Sequence, residues 1–107
     1  MDRKELARQY RQRTQIGGVY TIKNTVLNKW YVDSTSDLKA ARNRYQSMPE
    51  SYLKIAADYQ SQNGRGFVFE ELESLPKDEQ QTMQSFREDL AVLKSLWLDK
   101  LVDQELY

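Results

Sequence analysis

Apolar positions change their period several times along this chain, and each change marks an element. Val19-Tyr20-Thr21-Ile22 and Trp30-Tyr31-Val32 are short β-branched and aromatic runs on either side of a polar connection containing Asn24 and Asn28, the pattern of a β-hairpin. Ser34-Thr35-Ser36-Asp37 then offers capping oxygens, and Leu38, Ala41 and Tyr45 recur at helical spacing, so a helix is expected to start near Ser36. Pro49 suits the first turn of another helix, which Tyr52, Leu53, Ala56, Ala57 and Tyr59 carry to about Gln60 before Asn63-Gly64-Arg65-Gly66 stops it. Phe67-Val68-Phe69 opens a third strand running to Leu72, with Ser74-Leu75-Pro76-Lys77 as its exit turn. Met83, Phe86, Leu90, Leu93, Trp97 and Leu101, widened by Leu96 and Leu98, form the heaviest stripe. It predicts one long helix over roughly residues 79–103 whose apolar side covers the sheet.

Residues 2–13 read as a further helix with a thin apolar stripe, Leu6, Ala7 and Tyr10, and with Lys4, Arg8 and Arg11 aligned on another face. The expected fold class is α/β (α+β): a small three-stranded antiparallel sheet flanked by helices. A basic N-terminal helix (1–16) precedes a domain at 17–107, the whole forming one folding unit.

Composition narrows the chemistry. Of 107 residues, 39% are hydrophobic and 30% charged, and no apolar run is long enough for a membrane span or follows the charged N-terminus as a secretory signal would. The expected location is cytoplasmic, without membrane contact. The sequence has no cysteine and no histidine, which excludes disulfides, thiolate metal sites and imidazole bases. Carboxylates, tyrosines, lysines and arginines remain for any chemistry. Net charge is zero, yet residues 1–69 carry 12 Lys/Arg against 6 Asp/Glu and residues 70–107 carry 4 against 10. Such polarity fits either a basic face toward phosphate or an uneven solvated surface.

The order helix, β, β, helix, helix, β, helix, together with Gly18-Val19-Tyr20, Tyr31-Val32-Asp33, Ser34-Thr35-Ser36-Asp37-Leu38, Asn63-Gly64 before the third strand, and Leu93 to Leu101, resembles the GIY-YIG endonuclease domain over about residues 17–101. The resemblance is to a degenerate, small, stand-alone bacterial-type member. It implies hydrolysis of a DNA phosphodiester with one divalent metal, two motif tyrosines, an arginine on the first domain helix and a glutamate on the last. Tyr20 and Tyr31 match the tyrosines, the first as activator of the attacking water and the second in positioning the phosphate. Strand packing is the plain alternative for both.

Other site positions depart from that pattern. Asp33 replaces the motif's last glycine, Ala41 the arginine, Tyr45 a frequent histidine, and Lys94 the metal-binding glutamate. Arg42, one residue past the arginine position, points about 100° away around a helix, while Arg44, one turn on, is nearer the right face but needs a different reach. Lys23 and Lys29 on the hairpin, with Lys4, Arg8, Arg11 and Lys94, are candidate phosphate contacts. The resemblance also implies that Tyr20, Tyr31, Ala41 and Lys94 border one shallow groove, which with Lys94 and Arg44 should prefer an anion to a metal.

Three readings follow: an inactive nuclease-like module that binds nucleic acid or a protein partner, an active nuclease with an altered site, and a structural or assembly domain with no nucleic-acid role, such as a dimer using the exposed face of the long helix. The first is favoured, because an ammonium where an oxygen ligand belongs repels Mg²⁺. No cofactor is expected, Mg²⁺ entering only under the second reading, with Asp33 as its ligand. DNA, if bound, is expected to be held weakly and without sequence preference.

Overall fold

The computed structural model describes residues 14–107. The helix expected at residues 2–13, with Lys4, Arg8 and Arg11, lies outside the described residues. Strands β1 (Ile16–Asn24) and β2 (Lys29–Thr35) form the antiparallel hairpin, with Tyr20 opposite Asp33 and Ile22 opposite Tyr31. Its turn is built by Asn24, whose Oδ1 accepts the backbone N–H of Val26 at 3.1 Å and of Leu27 at 3.2 Å. Asn28 closes it at φ 52°, left-handed backbone that asparagine tolerates.

Asp37 caps helix α1 (Leu38–Ser47), its Oδ1 accepting the Ala40 N–H at 3.0 Å. A 3-10 turn at Pro49–Ser51 precedes α2 (Leu53–Ser61). Strand β3 (Phe67–Pro76) pairs antiparallel with β1, and Thr82 caps α3 (Met83–Lys100) by accepting the Ser85 N–H at 3.1 Å.

Three expectations change. The sheet has four strands in the order β3-β1-β2-β4, because β4 (Glu105–Leu106) adds to β2 in parallel at Lys29 and Trp30. Two residues are too few for any period to show. Strand β3 continues through Ser74–Pro76, because its end pairs with Gly17 and Gly18, and the chain turns only at Lys77, whose N–H donates to the Gln15 carbonyl at 2.8 Å. Helix α3 starts at Met83 and ends at Lys100, since Asp78–Gln81 forms its own turn in which Asp78 accepts the Gln80 and Gln81 amides at 2.8 and 3.0 Å.

Gly17 and Gly18 show how the layers are arranged. A methyl on Gly17 would meet the Phe86 ring at 2.9 Å, and one on Gly18 would meet Leu38 at 3.0 Å and run into the Glu73 carbonyl. Neighbouring strand residues point to opposite faces, so α1 covers one side of the sheet and α3 the other. On the α1 side Tyr20, Ile22, Leu38, Ala41, Tyr52, Ile55 and Phe67 form the core cluster. On the α3 side Phe86 and Leu90 are buried, and so are Val19 and Val32 of the strands.

The stripe positions are only partly core. The buried residue of α2 is Ile55, which the expected stripe left out, whereas the stripe's Leu53 is 86% exposed, and on α3 Leu96 is 53% exposed. Full burial of a side chain such as Ile55 or Phe86 contributes about 1.5–3 kcal/mol, so a few such residues carry this small core. Among the described residues no helix is long and apolar enough to cross a membrane.

Candidate functional site

Tyr20 enters the α1 side of the sheet from the middle of β1, buried, and Tyr31 stands half-buried beside it on β2, their rings 6.4 Å apart. Tyr52 is a third member of this cluster, edge-on to Tyr20 at 6.3 Å and to Tyr31 at 5.7 Å, while Phe69 stacks on Tyr20 at 5.1 Å. Periodicity places Tyr52 on a helical stripe. It is instead the extended cap before α2, at φ −80° and ψ 91°, and that backbone brings its ring to the sheet. The one signal in the sequence is an aromatic where a capping oxygen is usual. The Tyr52 hydroxyl donates to the Ala41 carbonyl at 3.0 Å, tying α1 to the cluster.

Asp33 organises the exposed rim. Its Oδ1 accepts the Ser34 N–H at 2.8 Å and the Lys94 ammonium at 3.2 Å, and its Oδ2 accepts the Tyr31 hydroxyl at 3.1 Å. Lys94 belongs to α3, on the other side of the sheet. Its flexible stem reaches round the edge of β2, which β4 pairs only at Lys29 and Trp30, and delivers the ammonium to the residue opposite Tyr20. Asp33 thus links the Tyr31 hydroxyl to Lys94 and stands opposite Tyr20 on β1, Ala41 adjoins the tyrosines through Tyr52, and Lys94 reaches them from the far side of the sheet.

Burial is the first cause that pushes the Tyr20 hydroxyl upward from its ordinary range, followed by the neighbouring Tyr31 and Tyr52. Tyr31 is pushed up to about 12, again first by burial and then by the Asp33 carboxylate. Both hydroxyls hold their protons at neutral pH. As ground-state bases toward a water molecule they are therefore poor.

Among the described residues, the other cations singled out in the sequence are engaged within the chain. Lys23 lies on the α3 side of the hairpin, away from the tyrosines, paired with Glu70 at 3.0 Å and resting over the Trp30 ring. Lys29 sits over Tyr107, 4.5 Å from its ring centre. Arg42 pairs with Glu71 at 3.2 Å. Arg44 lies over the Tyr52 ring at 4.1 Å, yet its guanidinium donates to the Ser51 hydroxyl and carbonyl, both at 2.8 Å, fastening the 3-10 turn. An anion-preferring groove built on Lys94 and Arg44 does not match this geometry, since Asp33 takes the first and Ser51 the second.

A divalent metal of the kind the resemblance implies does not fit these residues. Asp33 has both of its oxygens taken, one of their partners being an ammonium, and Glu71, opposite Tyr20 on β3, is paired with Arg42. Among the described residues no three acidic side chains converge to make an oxygen cage.

No protein-family model matches the sequence, and no curated protein matches it. Among solved structures, the catalytic domain of homing endonuclease I-TevI is similar to this chain, with 25% identity and a TM-score of 0.59, covering 84% of this chain and 96% of that one. The fold described above therefore resembles that of a GIY-YIG nuclease catalytic domain.

Proposed function

We propose that this chain is a degenerate relative of the GIY-YIG nucleases that binds without cutting. The observation that carries the reading is the Asp33–Lys94 ion pair at 3.2 Å. It sets a protein cation against the rim carboxylate, and it sits where the resemblance expects a glycine and a metal-binding glutamate. Hydrolysis of a phosphodiester depends on charge stabilisation, and removing one such group typically costs on the order of 10²-fold or more. Two losses with a reversal of charge leave no useful rate.

Nucleic acid is one partner class for such a module, contacted weakly and without base reading by cations outside the tyrosine cluster. A supercoiled-plasmid assay with Mg²⁺ or Mn²⁺ tests the first half of the proposal. The expected result is no nicking above a buffer control, and EDTA-sensitive nicking that vanishes in Tyr20→Phe overturns it. Fluorescence anisotropy with a labelled duplex tests the second half, with affinity expected to fall steeply as salt rises. An assembly role is the second reading, favoured because the site-region cations are already held by the chain's own side chains.

A further inference from the structure

Helix α3 carries an outer ridge that its packing on the sheet leaves bare. Glu88, Val92, Leu96 and Lys100 follow one another at four-residue steps and so lie along a single ridge of the helix, about 18 Å long at 1.5 Å per residue. Val92 is 61% and Leu96 53% exposed, and Glu88 and Lys100 are exposed at the two ends. Beside the two apolar residues runs a groove of about 270 Å³, lined by Leu75, Leu93 and Asp89 along with Val92 and Leu96. Among the described residues neither Glu88 nor Lys100 enters an ion pair, while the Lys100 ammonium rests 4.5 Å from the centre of the Trp97 ring.

The ridge reads acid, apolar, apolar, base, a pattern complementary to its own reverse. We propose that a second copy of this chain covers it, α3 packing antiparallel on α3 about a two-fold axis midway between Val92 and Leu96. In that register Val92 meets Leu96 of the second copy, and Glu88 meets Lys100 of the second copy, each contact occurring twice. Parallel packing would set Glu88 on Glu88 and Lys100 on Lys100, so the charges select the antiparallel arrangement. Asp89, whose counterpart in this register is Asp99, already accepts from the Gln81 amide at 2.6 Å and is drawn toward its own chain. Apolar side chains at the centre with charges at the ends is also the usual layout of an interface. The proposal goes beyond the non-cutting reading and does not depend on it.

One ridge makes a small interface, with a Kd on the order of 10 μM. Sedimentation velocity of the full chain up to roughly 300 μM, well above that Kd, should show the mass of a dimer at the upper end. Leu96→Lys should abolish the dimer. Lys100→Glu alone and Glu88→Lys alone place like charges together at both ends and should each weaken it by about tenfold or more. The double swap Glu88→Lys with Lys100→Glu restores opposite charges and should recover most of the lost affinity. All four positions are exposed, so circular dichroism and thermal melting should report an intact fold in every variant. A wild type that stays monomeric at the highest concentration overturns the proposal. So does a dimer that Leu96→Lys leaves intact, or one that the double swap fails to recover.

Discussion

At Asp33 three donors converge on one carboxylate: the Ser34 amide, the Tyr31 hydroxyl and the Lys94 ammonium. Either charge alone at this half-buried rim would be awkward, whereas together they satisfy each other and hold Tyr31 in place. No local pattern announces such a pair, because its members lie 61 residues apart in the chain. A consequence can be read in alkaline solution. The folded-state value for Tyr31, about 12, stands above the ordinary 10.0, so the folded protein holds this proton more tightly than the unfolded chain does. That contribution to stability is complete below pH 10 and is lost as pH rises from there through about 12. Tyr20 shifts in the same direction. Urea midpoints measured from about pH 9 to about pH 11.5 should therefore fall with pH, and Tyr31→Phe should make that fall shallower. Repeating the pair of curves in a Lys94→Met background separates the tyrosine from the lysine. Equal slopes with and without Tyr31 would contradict the assignment.

Among the elements, the hairpin, α1, α2, β3 and α3 were legible because each carries its own punctuation: β-branched runs, Asp37 as a cap, Pro49, the Asn63–Gly66 stop and a long stripe. What joins them was not legible. Asn24 looks like a turn residue, and it does build the turn, yet it is fully buried and its amide donates to Gln62 at 2.7 Å and to the Tyr107 hydroxyl at 2.9 Å. Gln62 donates back to Asn24 at 3.1 Å, and the Tyr107 hydroxyl donates to Asp58 at 2.8 Å. One side chain thus ties the hairpin, the end of α2 and the strand β4 together, across separations of 38 and 83 residues that no periodicity reports. Replacing it with alanine leaves two turn amides, Gln62 and the Tyr107 hydroxyl each short of one partner in a partly buried place. The expected cost of Asn24→Ala is about 2 kcal/mol or more, read as a drop in melting temperature of roughly 8 °C or more. The Tyr107 hydroxyl, released from the network, should become more exposed in hydrogen-exchange or quenching measurements. A change under about 0.5 kcal/mol would mean that water replaces the lost partners without penalty.

Across the whole molecule, the likeness to the I-TevI catalytic domain is a likeness of fold, whereas activity depends on a few side chains. The smallest edit that supplies both groups missing from the nuclease pattern is Lys94→Glu with Ala41→Arg. On charge alone the pair looks sufficient: a carboxylate returns an oxygen ligand, and a guanidinium returns a planar fork for phosphate oxygens. Packing argues the other way. Ala41 is only 8% exposed, sits in the core cluster with Tyr20 and Ile55, and accepts the Tyr52 hydroxyl, so an arginine side chain there must push Tyr52 and α2 away. Lys94→Glu meanwhile places a second carboxylate against Asp33, whose balancing cation is now gone. The double variant is therefore expected to melt lower than wild type and to nick supercoiled plasmid no faster, with either Mg²⁺ or Mn²⁺. Adding Asp33→Gly removes the like-charge contact and should recover part of the stability without producing cleavage, because Ala41→Arg still overfills the core. Metal-dependent nicking by the double or triple variant, absent in wild type and abolished by Tyr20→Phe, would show that the groove keeps its working shape and that those side chains alone silence it.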